Sequence, residues 1–187
     1  MKKGFTLIEL LIVIGILAVL AGIIVVALNP AELLRQARDS KRMADVSGIV
    51  GGINLYLADV ASTTFTSCAT GGYATASSTG GTPFNTAVVA STGTSVGVSG
   101  DGWLPVFFSW VSGGSPIAAL PLDPTNSVVY NYNFACTTTG NVVFEVDARL
   151  ESTKYRGSMT TDGGDNNTCT TYLESDCWYE SGSSLTM

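Results

Sequence analysis

The sequence predicts an α+β fold, in which a long N-terminal helix packs on an antiparallel β-sheet head. Three observations carry this. Residues 5–28 read FTLIELLIVIGILAVLAGIIVVAL, with Glu9 as the one ionisable group. The stretch from Ala31 to Ala61 is amphipathic at helical spacing, with Met43, Val46, Val50, Ile53, Leu57 and Val60 recurring at steps of three and four. Further on, runs rich in aromatic and β-branched residues at 104–111, 128–134 and 142–149 read as strands.

As a helix rising about 1.5 Å per residue, residues 5–28 extend about 36 Å, enough to cross a hydrocarbon core of roughly 30 Å. A secretory signal peptide is the alternative, and Val19-Leu20-Ala21 loosely fits a cleavage site. Cutting there would leave Gly22-Ile23-Ile24-Val25 as an apolar new terminus, and Ile23 stands where a lipoprotein anchor needs Cys. Gly15 and Gly22 fall on nearly one helix face and would let neighbouring backbones approach. Asn29-Pro30-Ala31-Glu32 is punctuation: Asn caps, Pro suits a first helical turn, and Glu three residues after the cap can reach back to it. A helix restarts or kinks there.

Ahead of the apolar run stands a short positive leader, Met1-Lys2-Lys3-Gly4, followed by Phe5-Thr6-Leu7-Ile8-Glu9. This arrangement resembles the class III leader of type IV pilins and pseudopilins. The resemblance implies that a prepilin peptidase cuts between Gly4 and Phe5 on the cytoplasmic side and methylates the new amine of Phe5. It also implies a homo-polymeric helical filament, an inner-membrane assembly platform as partner, and membrane lipid around the helix before assembly. The precursor would then be a single-pass protein of the cytoplasmic membrane with its head outside. In such filaments a segment between Gly22 and Pro30 extends; a plain kink is the other reading.

The chemistry of Glu9 agrees. A charge at the centre of an apolar helix costs about 2.5–3.5 kcal/mol by insertion scales, and less near an end, so the carboxylate wants a partner or a proton. Cleavage would create a partner in the ammonium on Phe5 of a neighbouring chain, and the pair would set the axial offset of one subunit against the next. Four divisions follow: 1–4 leader peptide, 5–28 membrane and filament-core helix, 29–61 amphipathic helix, 62–187 head.

On the second helix Arg35, Arg38, Lys41 and Arg42, opposed by Glu32, Asp39 and Asp45, read as a solvated face. Four basic residues just after a span run against the positive-inside expectation, so the outward head follows from the resemblance alone. Gly48, Gly51 and Gly52 weaken this helix by about 1 kcal/mol each relative to Ala, leaving tertiary packing to hold it. The head opens with a long Ser/Thr/Gly-rich stretch at 62–100, read as a loop with one short strand near Val88-Val89. Thr137-Thr138-Thr139-Gly140-Asn141 then supplies the turn of a hairpin between the last two predicted strands. The loop Leu120-Pro121-Leu122-Asp123-Pro124-Thr125-Asn126 is a two-proline turn that also resembles the segment before the sheet in major pseudopilins.

Composition removes other functions. The 187 residues include no His, which excludes a Ser-His-Asp or Cys-His pair and an imidazole metal site, and no constellation supports an enzyme. With 15 acidic residues against 9 basic ones, a nucleic-acid partner is disfavoured. Cys68, Cys136, Cys169 and Cys177 lack metal-ligand spacing and suit disulfides in an exported head, with three pairings open. No cofactor is required. Asp162-Gly163-Gly164-Asp165-Asn166-Asn167 could gather oxygen ligands for calcium through Asp162, Asp165 and Asn167, or be a solvated turn. Major pseudopilins carry a calcium loop near the carboxy terminus, which the resemblance adds to this reading.

Overall fold

Helix α1 (Leu7–Leu28) begins where Thr6 can cap it and ends at Asn29, whose φ of 42° lies in the left-handed region that stops helices. Pro30 has no N–H to continue the ladder, so it takes the first position of α2 (Pro30–Asp59). The Asn29 carbonyl accepts from Glu32 N at 3.0 Å and Leu33 N at 3.3 Å, which restarts the helical pattern. The computed structural model describes residues 4–60, 73–76, 83–84, 89–137, 142–169 and 177–187. Met1–Arg35 and Gln36–Met187 form separate compact units.

In the first unit, Leu7–Val25 is long and apolar enough to cross a membrane. Its side chains are exposed on every side, Leu7 at 81% and Val19 at 64%. A soluble helix buries one stripe; one that is apolar all round needs lipid or other helices as its solvent.

The second unit has the α+β architecture the sequence predicts. Its sheet comprises β1 (Tyr73–Thr75), β2 (Val89–Thr92), β3 (Asn133–Thr137), β4 (Val143–Ala148) and β5 (Tyr179–Gly182), in the order β2-β1-β3-β4-β5. All neighbours run antiparallel except β1 and β2, which are parallel. The predicted hairpin is β3–β4, paired from Asn133 with Asp147 to Thr137 with Val143; its turn, at 138–141, lies outside the described residues, as does Val88. Strand alternation sends Phe134, Cys136, Phe144, Val146 and Ala148 into one core with Val46, Ile49, Ile53 and Tyr56 of α2.

Several expectations are corrected. The run 104–111 is no strand: it is irregular up to a 3₁₀ turn at Phe108–Trp110. Pro105 cannot donate to a ladder, and Leu104, Val106, Phe108 and Val111 are buried as a bulky cap on the core. Gly52 makes room for it, because a Cβ there would lie 3.3 Å from the Phe108 ring. The buried stripe of α2 is also rotated from the predicted one. Val46 and Ile53 are on it, but its other members are Asp39, Arg42, Ile49 and Tyr56, with Val50 and Leu57 at its margin. Likewise the predicted strand at 128–134 begins only at Asn133.

Asp39 and Arg42, read as solvated, are wholly buried. Arg42 donates to Asp123 Oδ2 at 2.5 Å and Oδ1 at 3.0 Å, to Glu151 Oε1 at 2.6 Å and to Asp39 Oδ1 at 2.8 Å. Asp39 in turn accepts the backbone N–H groups of Glu151 and Ser152, and Arg38 forks onto Glu151 at 2.6 and 2.7 Å. One guanidinium thus ties the helix, the 120–126 turn and the chain leaving β4.

Burial alone would raise the pKa of Asp123, but its bonds from Arg42 and Thr125 outweigh this and hold it below the usual carboxylate range. Glu151 is lowered in the same way, burial being outweighed by Arg38 and Arg42. A group with a depressed folded pKa stabilises the fold above its unfolded pKa, and the contribution is lost as pH falls through the folded value. The thermal midpoint is therefore expected to drop below about pH 4, and D123N to flatten that drop; scans across the acid range check this.

Candidate functional site

The N-terminal site is built from six consecutive residues, Gly4 to Glu9. Gly4 and Phe5 precede the helix and are exposed, Phe5 at 82%. Thr6, extended at φ −81° and ψ 152°, caps α1. Its hydroxyl accepts from Glu9 N at 3.3 Å. The Glu9 carboxylate reaches back, accepting from Thr6 N at 2.9 Å and the Thr6 hydroxyl at 2.7 Å, both on Oε2. This reciprocal capping box satisfies two of the N–H groups that a helix start leaves without partners. It also fixes the carboxylate about one turn from the Gly4–Phe5 junction, and both bonds fall on Oε2. Gly22 is helical within α1, and the interruption falls at Asn29 before Pro30.

The cysteines are in the second unit. Cys169 and Cys177 are joined, closing a short loop whose cross-link stabilises by about 2–3 kcal/mol on the chain-entropy account. Cys136 is disulfide-bonded and buried in the core, so it does not tie Cys169 or Cys177 to the sheet. Cys68 lies outside the described residues.

The carboxy-terminal acidic loop rests on β5. Asp162 accepts from Glu180 N at 2.9 Å and from Gly164 N at 3.3 Å. Asn166 Nδ2 donates to Glu180 Oε1 at 2.8 Å, and Asn167 Nδ2 donates to the Gly164 carbonyl. Asp165 is exposed. A residue set the sequence reading missed lies beneath this loop. Glu145, Asp147 and Glu180 are all buried, and one oxygen from each lies within 4.8 Å of the others. Burial first, then the charge of Glu180, pushes Glu145 up to about 8. Burial and the charges of Glu145 and Glu180 carry Asp147 well above its usual range. Burial raises Glu180 too, against bonds from Asn166 that lower it.

A helix apolar on all faces, with a short positive leader ahead of it in the sequence, fits a membrane-anchored precursor. Residues 1–25 match the family model for the prokaryotic N-terminal methylation motif, the class III leader of type IV pilins and pseudopilins. That match supports a type IV pilin or pseudopilin, and the α+β, pilin-like fold agrees with it. No curated protein and no solved structure matches the chain.

Proposed function

We propose that the chain is a structural subunit of a type IV pilus or pilus-like filament, with no catalytic role of its own. The observation that carries this is the position of Glu9: the single ionisable group of α1, capped one turn after the Gly4–Phe5 junction, inside the matched methylation motif. Before processing, lipid covers the apolar helix and the head lies outside the cytoplasmic membrane. Prepilin peptidase removes residues 1–4 and methylates Phe5. The new ammonium of one copy then meets Glu9 of the next, cancelling two charges that are costly in an apolar bundle and fixing the stagger between subunits. An inner-membrane platform adds subunits, the helices become the filament core, and the heads become its surface.

The same mechanism serves a pseudopilus of a secretion system, and the 120–126 turn, gripped by Arg42 through Asp123, is the feature that resembles major pseudopilins. Cell fractionation and electron microscopy separate the two. Surface fibres that shear from cells and contain this chain are expected for a pilus, whereas a secretion defect on deletion, without fibres, marks a pseudopilus. Chain that stays monomeric in the membrane under all conditions contradicts both and leaves a simple anchored binding module.

A further inference from the structure

The strand pattern places three carboxyl groups on the sheet face opposite α2. Glu145 and Asp147 are two apart on β4, so both point away from the core that receives Phe144, Val146 and Ala148. Glu180 on β5 is the direct cross-strand partner of Asp147. Such a face normally meets water, where carboxylates are cheap. Here Glu145 and Asp147 have no exposure and Glu180 has 2%.

Asp147 supplies a second observation. Neither of its oxygens has a hydrogen-bond partner, and Glu145 Oε1 has none. Among the described residues no Lys or Arg forms an ion pair with any of the three. Glu145 Oε2 accepts from Met187 N and Glu180 from Asn166, but a buried, like-charged trio in which Asp147 has no donor is strongly disfavoured unless something positive sits among its oxygens. One proton shared between Asp147 and Glu145 would satisfy two of the three unpartnered oxygens and leave the third without a partner.

We propose that Glu145, Asp147 and Glu180 form a divalent-cation site that takes Ca²⁺. Oxygens bound to one Ca²⁺ at about 2.3–2.6 Å lie at most about 4.6–5.2 Å apart, which the trio's spacing satisfies without moving the strands. Three anionic ligands from protein suit Ca²⁺ better than Mg²⁺, which usually keeps most of its waters and one or two carboxylates. The absence of His and the pairing of Cys169 with Cys177 remove softer ligands from the neighbourhood, which disfavours a transition metal. The loop over the site lies close upon it: a Cβ at Gly164 would collide with the Glu180 carboxylate, so glycine lets the backbone close there without displacing that side chain. These ligands stand on strands of the sheet, apart from the loop residues Asp162, Asp165 and Asn167 and from the calcium loop implied by the family resemblance. The site and the role of Glu9 are independent, and either can fail alone.

The test is calorimetric titration of the chelator-treated full chain, in detergent, with CaCl₂ and separately with MgCl₂, together with thermal unfolding in each. One Ca²⁺ per chain, a higher midpoint in Ca²⁺ than in chelator, and weaker Mg²⁺ binding are expected. D147N, nearly isosteric but without the charge, should weaken Ca²⁺ binding about tenfold or more. Because D147N could impair folding, E180Q is tested alongside it, and cooperative unfolding of either variant with the same loss of binding supports the site. No heat and identical midpoints in Ca²⁺ and chelator would overturn it. So would wild-type affinity in both variants, while Mg²⁺ binding as tightly as Ca²⁺ would overturn the choice of ion.

Discussion

Glu9→Gln is expected to abolish filaments while leaving the precursor abundant, inserted and cleaved. The substitution keeps the size of the side chain, and Gln at the third helical position can still close the capping box with Thr6. It removes a charge from an apolar helix, so insertion becomes easier, by part of the roughly 2.5–3.5 kcal/mol that a central charge costs. A defect in assembly could not then be blamed on failure to enter the membrane. What is lost is the partner for the ammonium of Phe5. Removing one member of a buried pair costs about 3–5 kcal/mol, because the other charge is left uncompensated. That is two orders of magnitude or more in association, repeated at every subunit contact. Quantifying sheared filaments against total chain, with the amino terminus of the cell-bound pool checked by mass, measures it. Normal filament yield from Glu9→Gln would mean that the carboxylate sets no register.

Arg42→Met is expected to be the most damaging single change to the head. Arg42 is fully buried and touches Asp39, Asp123 and Glu151, and it lies 4.7 Å from the centre of the Tyr130 ring. Deleting it strands acceptors that were charged because of it, at a cost of about 3–5 kcal/mol. Arg42→Lys keeps a charge but cannot present the two-pronged donor that Asp123 receives, so it should fall between wild type and Arg42→Met. Denaturant unfolding of the full chain in detergent, followed by the fluorescence of the buried Trp103, reads the difference. A loss below about 1 kcal/mol would show that the network is replaceable.

How much of this was legible in the sequence depends on the range over which the determining contacts act. The N-terminal site is local: leader, cap and glutamate fall within nine residues, so spacing alone identifies it. The long apolar helix is legible because a run of this length with a single ionisable residue admits few alternatives. The orientation of α2 was not. Asp39 and Arg42 look like surface residues until their partners are known, and Asp123 and Glu151 stand 81 and 109 residues from Arg42.

The same holds for the outer face of the sheet. Alternation in Val143–Ala148 gives the apolar side correctly, but a one-sided solvated sheet and a doubly covered one share that pattern. Only the fold, which brings Glu180 opposite Asp147 and lays the 162–167 segment over them, shows that these carboxyls are buried. At 104–111 the composition favoured a strand, yet Pro105 and the need to cap the core around Phe108 prevailed. Strand β1, three residues within a Ser/Thr/Gly-rich stretch, is too short to stand out from its surroundings and is fixed by its pairing with β3.

The central claim is that processing after Gly4 creates the charge Glu9 needs. Mass spectrometry of the amino-terminal peptide from assembled material tests it most directly. The account predicts a chain beginning at Phe5 and carrying one N-methyl group; assembled chain that still begins at Met1, or that begins at Gly22, would contradict it.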